Sequence, residues 1–310
     1  MAIDNKNYAI EINGLRKIYN HKKSNAFEAL KGINLNIPKQ SIFGLLGANG
    51  AGKSTLINII AGLVKKTEGK VKVWGNDIET DERNAKLSIG VVPQELILDP
   101  FFTPRETLKY QSGYYGVPKK ENCIEEILET VGLSDKADAY PRSLSGGMRR
   151  RLMIGKAMVH RPPILILDEP TAGVDVALRQ SLWKEVKKLN EAGVTIILTT
   201  HYLEEAEQLC RNIGIIDHGE IVVDTSMKDL LSRLDVQGFV LDLEKPLDQE
   251  PKIDGFELRL DDPLTLVTAT NKEKSINSLF NELNKIGIKV KSMRNESNRL
   301  EELFIEMIKK

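Results

Sequence analysis

The chain has 310 residues, 41% of them hydrophobic, and 23 glycines, a composition of soluble globular proteins and a length that accommodates two domains. Its 44 Lys and Arg balance 44 Asp and Glu, which argues against bulk attraction to nucleic acid or anionic lipid and leaves phosphate chemistry to local sites. Two cysteines, Cys123 and Cys210, can build neither a disulfide framework nor a four-ligand zinc site, and they read as buried apolar thiols in a reducing compartment.

The first residues, MAIDNKNYAIEING, lack the basic head and apolar stretch of a secretory signal. Short β-rich runs follow at Tyr8 to Ile12, at Ile33, Leu35 and Ile37 in alternation, and at Ile42 to Leu46, Val71 to Trp74, Ile89 to Val92, Ile164 to Leu167 and Val194 to Leu198. The early runs alternate and predict an antiparallel edge or flank. The later ones are continuously apolar and separated by helix-length segments, the pattern of parallel strands buried on both faces. Between about Leu98 and Arg161 the strand signal stops, and helical spacing such as Ile124, Ile127, Leu128 and Val131, broken at Gly116-Val117-Pro118 and at Pro141, predicts a helical subdomain inserted within the sheet.

After Val223 the character changes. Strands are predicted near Phe239 to Leu243, Phe256 to Leu260 and Leu264 to Ala269, then a helix with Ile276, Leu279, Phe280 and Leu283 on one face, a strand at Ile288 to Val290, and a helix carrying Leu300, Leu303, Phe304, Met307 and Ile308. The expected organisation is an α/β domain over residues 1–225 and a small α+β domain over 226–310. No run approaches the roughly 20 apolar residues of a membrane-spanning helix, so the chain is expected to remain in the cytoplasm.

Residues 47–55, Gly47-Ala48-Asn49-Gly50-Ala51-Gly52-Lys53-Ser54-Thr55, fit the P-loop pattern directly after a strand and before the helical spacing Leu56, Ile59, Ile60, Leu63. Its glycines permit a tight wrap that turns backbone N–H groups inward, and the helix N-terminus adds partial positive charge. Lys53 neutralises terminal phosphates and Ser54 can ligate Mg²⁺, so the segment suits a nucleoside triphosphate. Asp168 and Glu169 end a buried strand, where open α/β sheets bind ligands; Asp168 suits the Mg²⁺ shell and Glu169 an attacking water. Leu144-Ser145-Gly146-Gly147-Met148 opens another helix and offers a second anion grip, one more than a single nucleotide needs. That excess suggests a nucleotide held by another copy of the chain. Arg149, Arg150, Arg151 and Lys156 follow, read either as a solvated helix face or as groups orienting phosphate.

This ordered set resembles the nucleotide-binding subunits of ABC transporters over about the first 225 residues. The resemblance implies ATP and Mg²⁺ as ligands, Tyr19 as the aromatic that stacks on adenine, Gln94 as the Q-loop glutamine near metal and water, Gly173-Val174-Asp175 as the D-loop and His201 as the switch histidine. Each position also has a plain reading: Tyr19 a core aromatic, Gln94 a surface residue, Asp175 a helix cap, His201 a strand-end histidine bonded to backbone. Two departures stand out. Met148 occupies a position where many members have glutamine, and Asp138 to Ser143 lacks the X-loop of one large exporter class.

Ala172 to Asp175, Thr200 to Ala206 and the C-terminal part, including Ser292 to Asn295 and Arg299 to Phe304, resemble most closely the ATPases that partner ABC-2 type permeases. This implies an ATP-hydrolysing homodimer bound to a separate integral membrane permease at the inner face of the membrane, typically for export. A soluble ABC ATPase of DNA repair or translation is the rival, and a P-loop kinase a third reading that leaves Leu144 to Gly147 unexplained. With one cassette, no long heptad insertion and no basic tract, no nucleic acid partner is expected. Five of the 17 aromatics, Phe101, Phe102, Tyr110, Tyr114 and Tyr115, fall within 15 positions after Gln94, where an even spread gives roughly one. The cluster reads either as a seat for a permease helix or as subdomain core.

Overall fold

Strands β1 (Tyr8–Tyr19) and β2 (Phe27–Pro38) pair antiparallel and bury Ile10, Ile12, Leu15, Leu30, Ile33, Leu35 and Ile37. Both extend well beyond their apolar runs in the computed structural model, which describes residues 7–21, 24–121, 123–232, 236–271 and 276–296. The chain continues through β3 (Ile42–Leu46), α1 (Lys53–Ile60), β4 (Glu68–Val73), β5 (Asn76–Asp77), α2 (Glu82–Leu87) and β6 (Ile89–Val92). Three helices are then inserted: α3 (Pro104–Tyr114), α4 (Ile124–Thr130) and α5 (Gly146–Met158). Thr103 caps α3 through a reciprocal capping box with Glu106, which starts the insertion's first helix at Pro104. The chain returns to the sheet with β7 (Ile164–Asp168), α6 (Val176–Glu191), β8 (Thr195–Thr199), α7 (Leu203–Leu209), β9 (Asn212–Asp217) and β10 (Glu220–Ser226).

These strands form two sheets. The antiparallel strands make a sheet of their own, in the order β2-β1-β4-β5, rather than the edge of the parallel one. The second sheet runs β10-β9-β3-β8-β7-β6, parallel except for β10 against β9. The strands β9 and β10 were not among the predicted runs, although Ile213, Ile215, Ile216 and Ile221 to Val223 are apolar. One hydrophobic cluster joins Ile10, Leu30 and Ile33 of the first sheet to Phe43, Leu45, Ile166 and Ile197 of the second, with Leu56 and Ile59 of α1. At about 1.5–3 kcal/mol for each fully buried aliphatic side chain, this interior fixes the sheet whose strand ends carry the chemistry. Leu63, expected on the buried face of α1, lies beyond the end of that helix at Ile60 and is exposed. Of the two cysteines, Cys210 is buried and its thiol is pushed up by desolvation, whereas Cys123 is only partly buried.

The chain divides into two compact units, Met1–Ser226 and Met227–Lys310. The second unit contains α8 (Met227–Leu231), β11 (Val236–Leu243), β12 (Glu257–Asp262), β13 (Thr265–Asn271), α9 (Ile276–Lys285) and β14 (Val290–Asn295), with an antiparallel sheet ordered β12-β13-β11-β14. Phe239, Leu241, Leu243, Leu258 and Leu266 pack with Leu279 and Leu283 of α9. Of the apolar run predicted as a strand at Ile288 to Val290, only Val290 lies in one, as the first residue of β14. Gly287, at φ 78°, and the bond from the Ile288 N–H to the Leu283 carbonyl (2.9 Å) terminate α9, so pairing begins only at Val290. The helical pattern at Leu300 to Ile308 lies outside the described residues. Among the described residues, no helix is long and apolar enough to cross a membrane.

Candidate nucleotide site

The parallel strand β3 feeds the loop that ends at Lys53, the first residue of α1. Gly50 and Gly52 hold φ of 82° and 115°, which side chains disfavour, and a Cβ on Gly47 would stand 2.3 Å from the Ile216 carbonyl oxygen. Glycine is therefore required at Gly47 by space and at Gly50 and Gly52 by conformation. Lys53 is buried inside the wrap, its Nζ donating to the carbonyls of Gly47 (2.6 Å) and Ala48 (3.1 Å). Burial lowers its pKa, and the charges of Glu169 and Asp168 oppose that shift. Asn49, Gly50 and Ser54 are exposed, while Thr55 brings its hydroxyl 3.5 Å from that of Tyr19 at the end of β1. The Tyr19 ring is half-buried, with the Lys17 ammonium 4.7 Å from its centre, so it stands beside α1 rather than in the core.

Strand register gathers the remaining groups. Across β6 and β7, Val92 pairs with Leu167, so Gln94 and Glu169 both stand two residues further on; across β7 and β8, Asp168 pairs with Thr199. The Thr199 hydroxyl donates to Asp168 Oδ1, and the Glu169 N–H is held by the Thr199 carbonyl (3.0 Å) and hydroxyl (3.1 Å). Glu169 adopts φ 45°, a conformation costly for a non-glycine residue and one that recurs at functional sites. Its carboxylate accepts from Gln94 Nε2 at 3.0 Å through Oε2 and lies 3.3 Å from His201 Nδ1 through Oε1. Gln94, Glu169 and His201 thus form one row at the carboxyl ends of three adjacent parallel strands, the position where such sheets bind ligands.

The second grip has its own surroundings. Ser145 is the N-cap of α5, its hydroxyl accepting from the Met148 N–H at 3.3 Å, and Ser145 and Gly146 are exposed. A Cβ on Gly147 would meet Leu178 of α6 at 2.2 Å, so this glycine lets the two helices pack. Asp175 caps α6 by accepting from the Leu178 N–H at 2.9 Å, which is the plain reading of that residue. The arginine run is not a solvated face. Arg150 is 3% exposed and donates to the Gln94 carbonyl at 3.0 Å, Arg149 donates to Pro141, and Arg151 to Val131 and Gly132. Sequence reading named Arg150 but missed its burial against Gln94, and it missed the anchoring role of Thr199. Arg150 shares helical spacing with the buried Gly147, Ile154 and Ala157, and that periodicity was the available signal.

A P-loop on a parallel sheet, with carboxylates ending a neighbouring strand, defines a nucleoside triphosphatase. The ABC transporter family pattern matches residues 30–172. The chain is 36% identical over 313 residues to the linearmycin resistance ATP-binding protein LnrL of Bacillus subtilis (strain 168), covering 96% of this chain and 97% of that one. It is 38% identical over 229 residues to the daunorubicin/doxorubicin resistance ATP-binding protein DrrA of Streptomyces peucetius, covering 73% and 68%. Among solved structures, the dimeric post-hydrolysis state of the ATP-binding cassette MJ0796 bound to ADP and Pi superposes with a TM-score of 0.61 and 28% identity, covering 70% of this chain and 98% of that one. The structure of cbiO1 from Clostridium perfringens, part of the ABC transporter complex cbiONQ, gives 0.66 and 28%, covering 73% and 92%. The chain belongs to the ABC transporter family and is an ATP-binding, ATP-hydrolysing subunit.

Proposed function

We propose that this subunit works as a homodimer that binds two ATP molecules between the P-loop of one copy and Ser145, Gly146 and Gly147 of the other, and that closure drives export by a separate ABC-2 type permease. The observation that carries the catalytic reading is the convergence of Gln94 and His201 on the Glu169 carboxylate, beside Lys53. Glu169 orients and polarises the attacking water. Gln94 and His201 hold that carboxylate, and the other ring nitrogen of His201 is free to turn toward the terminal phosphate. Gly47, Asn49, Gly50, Gly52, Lys53, Ser54 and Thr55 cradle the phosphates, and Tyr19 stacks on adenine. Ser54, Asp168 and Gln94 are the oxygen donors that would hold Mg²⁺, which would supply positive charge toward the transferring phosphoryl group.

Export is supported by the relatives' names: linearmycin and daunorubicin/doxorubicin resistance, and Nod factor export for several others. The permease would hold the subunit at the cytoplasmic face of the membrane. Its seat is read at the aromatic segment, where Phe101, Tyr110 and Tyr114 are exposed and Tyr115 lines a groove of about 490 Å³ with Leu63, Pro93, Ile97 and Met153. Phe102 and Tyr115 are partly buried instead, Phe102 against Tyr110 (4.6 Å) and Tyr115 stacked on His160 (3.7 Å).

Alanine at Phe101 or Tyr114 is expected to leave basal ATPase activity intact while weakening recruitment by roughly 2 kcal/mol, about 30-fold, if either is a hot spot. Fractionation of membranes co-expressing the neighbouring permease reads this. A wild-type protein that stays off those membranes and associates with ribosomes or DNA overturns the transporter reading.

Residues 1–225 are proposed to act as the nucleotide-binding domain and 226–310 as an accessory domain. Removal of residues 227–310 is expected to leave a core that melts cooperatively and binds ATP, because every nucleotide group precedes β10 and the second unit has its own core. Calorimetry and nucleotide binding on the truncated chain check it; insoluble product means the two parts share one core.

A further inference from the structure

Arg150 is a buried cation that the reading above leaves without a role. It lies on α5, one turn beyond Gly146 and Gly147, and its guanidinium donates to the backbone carbonyl of Gln94 at 3.0 Å. The side chain of that same Gln94 donates to Glu169 at 3.0 Å. The carboxylate facing Arg150 is Glu205, fully buried on α7, the helix that begins two residues after His201. Glu205 accepts from Trp183 Nε1 at 3.0 Å through Oε1. Among the described residues, Arg150 Nε and Glu205 Oε2 have no hydrogen-bond partner. A buried guanidinium of this kind is costly, and a merely structural helix position is filled more stably by an apolar side chain. The hydrogen bond it does make ends on the segment that carries Gln94, and the carboxylate whose charge it feels lies on the helix that follows His201.

We propose that Arg150 is a positioning residue for ATP hydrolysis, fixing the Gln94 backbone so that its side chain meets Glu169, and thereby tying the α5 grip on the partner copy's nucleotide to the hydrolytic carboxylate of its own copy. The proposal rests on the roles assigned above to Gln94, Glu169 and the α5 N-terminus. Arg150 touches neither nucleotide nor water in this scheme; it acts through Gln94. Loosening a carbonyl anchor lets the Gln94 side chain wander, and misplacement of about 1 Å costs on the order of 100-fold in rate. Binding of ATP, which depends on the P-loop, is left in place.

The test uses the full-length chain. Arg150→Met alone leaves Glu205 with Trp183 and the charge of Arg179, so it is paired with a second variant, Arg150→Met with Glu205→Gln, which removes both charges at similar volume. The expected result is a melting temperature close to wild type, a kcat lowered about 10- to 100-fold, and a KM for ATP within about threefold. Gln94→Ala is expected to lower kcat comparably, and adding it to the Arg150 and Glu205 pair should cost less than about twofold more, because the two groups act in series. Arg150→Lys, which keeps one charged donor, should recover part of the rate. A stable paired variant that turns over at the wild-type rate, or losses that multiply with Gln94→Ala, overturns the positioning role while leaving Gln94 in place. Wild-type turnover by Gln94→Ala removes the catalytic assignment of Gln94 itself, and this proposal with it.

Discussion

Glu169→Gln is expected to bind ATP normally and to hydrolyse it about 100- to 10,000-fold more slowly, the range lost when a general base is removed. That corresponds to roughly 3–5 kcal/mol of barrier. The substitution leaves the backbone anchor alone, since the Glu169 N–H is held by Thr199 whatever the side chain is. It also keeps an oxygen for one of the two flanking groups, Gln94 Nε2 and His201 Nδ1, while removing the negative charge between them. The loss therefore falls on orientation and polarisation of water rather than on the shape of the site. With hydrolysis stalled, ATP should hold a long-lived dimer. Steady-state turnover and gel filtration with ATP measure both effects, and near-normal hydrolysis removes Glu169 from its role.

How much of this site could be read in advance follows from where its information is stored. The P-loop was legible because Gly47, Gly50, Gly52 and Lys53 are adjacent in sequence and each answers a local demand of backbone or charge. Glu169 was legible because it follows a run apolar enough to be a buried parallel strand, whereas Gln94 and His201 were named through the resemblance, and register then places the three side by side. The burial of Arg150 was not legible, because three successive arginines look like a wet surface, and burial of the middle one depends on a carbonyl 56 residues away. The same limit applies to the sheets. Alternation in β1 and β2 gave antiparallel pairing, yet whether those strands edge the parallel sheet or form a second layer over it depends on the shared core and not on local pattern. In the second unit, Ile288 looked like the start of a strand because its apolar side chain packs on the core, while its backbone N–H closes the end of α9.

The division of labour between the two grips separates a second pair of variants. Lys53→Ala removes a buried ammonium enclosed by the loop carbonyls and subject to the charges of Glu169 and Asp168. Charge-assisted bonds of this kind contribute about 1.5–3 kcal/mol each, so ATP affinity should fall roughly 10- to 100-fold and turnover should cease. Ser145→Arg acts elsewhere. It costs the α5 cap about 1 kcal/mol, which the packed helix withstands, and it places a long cation over the exposed Gly146 face. If that face grips the nucleotide of the other copy, the Ser145 variant should bind ATP within about twofold of wild type as a monomer, yet fail to form the ATP-held dimer in the Glu169→Gln background. Equilibrium nucleotide titration and sizing of the double variant read the two properties independently. Should Ser145→Arg lose nucleotide affinity as severely as Lys53→Ala, both grips serve one nucleotide in one copy, and the two-chain sandwich is wrong.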